Sequence, residues 1–80
     1  MSRTPRRFAV HLLFSGGHRE IVNFATLEAF QQWYSGVLNA GPPEAYVNVP
    51  INDLQGEYLV VRPSAIVGIR VEPQFALNED

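Results

Sequence analysis

Chemistry in this chain would have to come from few residues. His11 and His18 are its two histidines, and with Glu20 they would bracket a hairpin able to hold a metal through imidazole and carboxylate. Six residues separate them, and His11 alternates away from Phe8, Val10, Leu12 and Phe14. The expectation is therefore a surface or interface histidine that hydrogen-bonds, with no metal and no cofactor. Ser15-Gly16-Gly17 could form a backbone nest for phosphate. With no lysine, no following helix and no P-loop spacing, a two-glycine turn is the better reading. The acids Glu20, Glu28, Glu44, Asp53, Glu57, Glu72, Glu79 and Asp80 show neither the spacing that gathers a cation nor a general-acid pair, so they read as solvation and edge protection.

The cations are all arginine. Arg3, Arg6 and Arg7 form one cluster that could clamp phosphates or an acidic surface. Between residues 8 and 78, however, Arg19, Arg62 and Arg70 face six acids, which leaves no basic stripe for a nucleic-acid groove. Trp33 and Tyr34 sit among Phe30 and Val37 at helical spacing and are expected in the core, with Trp33 the more exposed of the two. Tyr46 and Tyr58 alternate with polar or proline neighbours and are expected to face outwards, where tyrosine suits a binding surface.

The elements that must carry these residues fit one domain. Eighty residues bury only about 60–65% of the unfolded surface, which argues against a large enclosed active site. A composition 46% hydrophobic and 18% charged is that of a folding chain. Without cysteine there is no disulfide framework, thiolate zinc site or thiol nucleophile, and a net charge of -2 offers no general attraction to nucleic acid or anionic lipid. The apolar run 8–14 after Arg6 and Arg7 imitates an export signal but is short and lacks a cleavage site, so it reads as a strand in a soluble, cytoplasmic protein with no membrane partner.

Residues 7–14 and 19–24 alternate around the glycines and predict a hairpin. Thr26 is a candidate N-cap for an amphipathic helix carrying Leu27, Phe30, Trp33, Tyr34, Val37 and Leu38 on one arc, ended by Gly41-Pro42-Pro43. Strands are expected at 45–51, 57–62 and 65–71, with 1–6 a flexible arm, 7–72 the compact domain and 73–80 a tail. The fold class is α+β: a five-stranded, mostly antiparallel sheet with one helix, in the order β-β-α-β-β-β, either open or curled into a small barrel. The strand, Pro63-Ser64 turn and strand across 57–71 resemble, in residues of generic type, the last strands of small Sm-like or SH3-like barrels; no family follows from them.

A helix of 12 to 14 residues is roughly 20 Å long and covers only part of one sheet face. Leu12 and Leu13, Leu59 to Val61, and Ile66, Val67, Ile69 and Val71 place apolar groups on both faces. A second copy or a closed barrel should shelter the surplus. The expected function is that of a small non-enzymatic interaction or regulatory module acting through an apolar sheet face or strand edge, partnered by another protein or by itself as a homodimer. Its expected contact residues are Tyr58, Leu59, Val61, Ile66, Ile69 and Arg70. The alternative is a small barrel binding single-stranded nucleic acid through Tyr46, Tyr58, Arg62 and Arg70, with Arg3, Arg6 and Arg7 on the backbone.

Overall fold

In the computed structural model, which describes residues 4–52 and 56–75, five strands and one helix follow the expected order. Strands β1 (Arg7–Phe14) and β2 (Arg19–Phe24) form the hairpin, and Gly16 and Gly17 take φ of 90° and 92°, a region that L side chains rarely enter. The helix α1 (Leu27–Trp33) starts at Thr26, whose hydroxyl accepts from the Ala29 N–H at 3.0 Å. It continues as a π-helical segment, Tyr34–Leu38. After the loop come β3 (Val47–Asn52), β4 (Glu57–Val61), a 3-10 turn (Pro63–Ala65) and β5 (Ile66–Gln74).

The strands divide into two antiparallel sheets, β2-β1-β5 and the ribbon β3-β4, and do not close into a barrel. The final strands run antiparallel to different neighbours, β4 beside β3 and β5 beside β1, so the barrel alternative is overturned by the pairing itself. One face of the three-stranded sheet carries Val10, Leu12, Phe14, Val22 and Phe24 into the core, where Phe30, Trp33 and Leu38 of the helical segment and Val49 of β3 meet them. Phe24 stacks near Phe30 and Trp33, with ring centroids 5.7 and 5.8 Å away.

Two strand boundaries differ from expectation by two residues or more. The first turn of strand-like sequence at 45–46 is loop, held by the Ala45 N–H on the Pro42 carbonyl. The last strand runs on to Gln74, so residues 73 and 74 belong to the sheet and not to a tail; the Arg6 N–H donates to the Gln74 carbonyl at 2.7 Å and ties the supposed arm to it. Burial of the two helix aromatics is also the reverse of the expectation, Trp33 being 8% exposed and Tyr34 42%. The cause is β3, which lies against the helix so that the Trp33 Nε1–H donates to the Asn48 carbonyl at 3.1 Å. The π turn contributes too. Its i to i+5 bond runs from the Asn39 N–H to the Tyr34 carbonyl, and across this segment Leu38 is buried in the core while Val37 is left exposed.

The core makes a direct prediction. Leu12 is fully buried and Val60 is 46% exposed on the outer side of the ribbon. Leu12→Ala should cost about 2–5 kcal/mol in urea unfolding, and Val60→Ala less than about 0.5 kcal/mol. Equal midpoint shifts would contradict this division between core and surface.

Candidate functional site

Backbone alternation decides which groups of the outer strand β5 are left unpaired. The Phe14 N–H donates to the His18 carbonyl at 2.8 Å, so the even-numbered groups of β1 point to β2. Its odd-numbered groups then point to β5, where Ala9 opposes Glu72 and His11 opposes Arg70. It follows that the even residues of β5 bond to β1, while Ile69, Val71 and Pro73 turn their backbone groups outwards. Proline has no N–H, and placing Pro73 in the outward set loses no ladder bond. Among the described residues no strand pairs with that outer side.

The two ends of this edge are blunted. A register shift between Leu13 and Phe14 bulges β5 around Val67, which is 70% exposed, and Pro73 removes a donor at the other end. Between them, Ile69 and Val71 keep outward N–H and C=O groups. Val71 is 37% exposed although its cross-strand neighbour Val10 is fully buried.

Behind the edge, on the sheet face turned away from the core, lies the polar cluster of the fold. His11 is buried, and its Nε2 lies 2.9 Å from Glu72 Oε1. An ionised carboxylate only accepts, so Nε2 carries the shared proton. The hydrogen bond from His11 and the nearby charge of Arg70 hold the Glu72 carboxyl below its ordinary range, against the opposing effect of desolvation. His11 Nδ1 is buried with no protein partner among the described residues. The second histidine makes a separate local pair, His18 Nε2 to Glu20 Oε2 at 2.6 Å, at the exposed turn. No three of the His, Asp and Glu side chains among the described residues gather as a metal site would require.

The residues singled out from the sequence fall into three places. Leu59, Val61, Ile66 and Ile69 are half-buried and pack against the core, which accounts for them as structural groups. Tyr58 lies 62% exposed on the outer side of the ribbon, far in the topology from Arg70, which sits on β5 beside Glu72. Tyr46 meets both Arg62 and the groove that Tyr58 lines: the Arg62 guanidinium lies 5.2 Å from the Tyr46 ring centroid, and the hydrogen bond it donates to Tyr46, with Glu44 alongside, raises its pKa. This open groove of about 750 Å³ runs past the two tyrosines, lined also by Trp33, Val37 and Pro50. Arg6 and Arg7 are elsewhere, at the end of β1, where the Arg7 Nε–H donates to Gln74 Oε1 at 2.9 Å; Arg3 lies outside the described residues.

Sequence reasoning missed Val67 and Val71 as edge residues and Glu72 as the partner of His11. Pro73 was the available signal, because a proline inside an apolar alternating run marks an edge strand. No family model, curated protein or solved structure matches the chain. No helix among the described residues is long and apolar enough to cross a membrane.

The His11 contact sets an acid limb for stability. A carboxyl whose folded pKa is depressed adds stability that is fully present above its unfolded pKa and is lost as pH falls through the folded one. Wild-type protein should therefore lose urea resistance on acidification below the ordinary carboxylate range more steeply than Glu72→Gln, while the two curves run parallel at neutral pH. An identical acid limb in the variant would remove Glu72 from this role.

Proposed function

We propose that this chain is a small non-enzymatic interaction protein that acts by accepting a strand on the outer edge of β5. The observation that carries the reading is the pair of outward backbone groups at Ile69 and Val71, flanked by the exposed Val67, on a nine-residue strand with one neighbour among the described residues. Strand addition satisfies such groups through the incoming main chain, and side chains on the edge then set which strand fits. The bulge and Pro73 confine pairing to a short window, which favours a specific partner over indiscriminate edge-to-edge association. In this reading the protein works in the cytoplasm, the run 8–14 that imitates an export signal being its central strand.

A photo-crosslinking residue placed at Val67, with one at exposed Ser35 as control, tests this in the cells that make the protein. Polypeptide adducts are expected from Val67 and not from Ser35, and Val71→Pro should abolish them by removing an outward donor. Absence of adducts at Val67 would end the reading.

A second reading has its own observation, the exposed Tyr46 and Tyr58 beside the groove and Arg62. Two tyrosines on one surface could stack bases of a single strand, each contact being worth about tenfold in affinity. It is weaker because Arg62 is 3.6 Å from Glu44 and Glu57 also lines the groove, so the local field does not favour phosphate. Titration with labelled oligonucleotides should show salt-sensitive binding that Tyr58→Ala reduces; no binding at low ionic strength excludes this reading.

A further inference from the structure

Resting on the strand-edge reading above, we infer that the occupant of the β5 edge is a second copy of this chain, paired antiparallel about a twofold axis through Val71.

The backbone groups fit this register. With Val71 opposite Val71 of the second copy, each Val71 N–H meets the other's carbonyl, and each Ile69 N–H meets the carbonyl of Pro73 across the axis. Pro73 is needed only as an acceptor, so its missing N–H costs nothing more than one bond that the edge could never make. Exposed apolar groups also meet: Val67 comes opposite Phe75 of the second copy, which is itself 38% exposed. The result is one continuous antiparallel sheet of six strands, with the two cores on the same side and the two His11–Glu72 clusters on the other.

Charge selects this register over its neighbours. Arg70 and Glu72 point to the same sheet face on either side of Val71. An axis at Val71 sets Arg70 opposite Glu72 of the second copy, twice by symmetry. An axis at Arg70 would set arginine against arginine, and one at Glu72 would set carboxylate against carboxylate; like charges directly opposite are destabilising in a sheet. The lowered pKa of Glu72 does not enter this choice, which follows from sign and position.

Sedimentation equilibrium at micromolar concentration, with circular dichroism to confirm folding, tests the inference. Wild-type protein should be a dimer, and Val71→Pro, which alters a donor unused within one chain, a folded monomer. Arg70→Glu and Glu72→Arg should each raise the dimer dissociation constant about tenfold, since both symmetric pairs become like-charged. An equimolar mixture of those two variants should recover wild-type affinity, because every pair across the axis again joins an acid to a base. A monomeric wild type, or a dimer indifferent to Val71→Pro, overturns the second copy as occupant, and a mixture that is not rescued overturns the register. If the wild type is monomeric while Val67 still crosslinks to another polypeptide, strand addition stands and self-pairing alone fails; if Val67 crosslinks to nothing, the strand-addition reading fails as well.

Discussion

The ladder between β1 and β5 is the constraint from which the arrangement of this molecule follows. It joins residues 7–14 to residues 66–74 across nearly the whole chain, and it makes β1 the one strand paired on both sides among the described residues. Because backbone groups alternate, the bonds that β1 gives to β2 dictate which groups remain for β5, and those in turn dictate which groups of β5 face outwards. The open edge is thus a consequence of pairing parity that begins at the Gly16-Gly17 turn.

The same ladder brings His11 and Glu72 together. A histidine in the middle of a central strand is shielded by its neighbours even on the face turned away from the core, and burial without a partner would be costly. Glu72, two residues beyond the directly opposed Arg70 on the neighbouring strand, supplies the acceptor at 2.9 Å. Arg70 then shares the carboxylate's field, so a single acidic group serves a buried imidazole and an exposed cation at once. That places a defined charge pattern immediately behind the outward groups of β5.

The surplus of apolar side chains in the sequence divides unevenly. Leu59, Val61, Ile66 and Ile69 are taken up by the core because the ribbon β3-β4 folds over the helix-covered face of the larger sheet. What stays in water is dispersed, with Leu13 and Ile21 on the face away from the core, Val60 on the ribbon, and Val67 and Val71 along the edge. Val67 and Val71 on β5, and Ile21 on β2, are exposed on the outer strands of the three-stranded sheet, where backbone groups turn away from β1. For that reason an edge, and not a broad greasy face, is where burial and hydrogen bonding would reinforce each other.

Periodicity and local chemistry made much of this legible in the sequence. Alternation at 7–14 and 19–24, glycines able to adopt positive φ, a threonine N-cap and the Gly-Pro-Pro stop are short-range effects, and each produced the element it implies. The division into two sheets, the exchange of exposure between Trp33 and Tyr34, and the contact between His11 and Glu72 could not be read there. Each depends on which distant strand settles against which, a choice made by the joint packing of the core and the parity of a ladder spanning some sixty residues. Local propensity determines what a segment becomes, while its neighbours, and hence the edge it leaves open, are decided only when the whole chain has closed on itself.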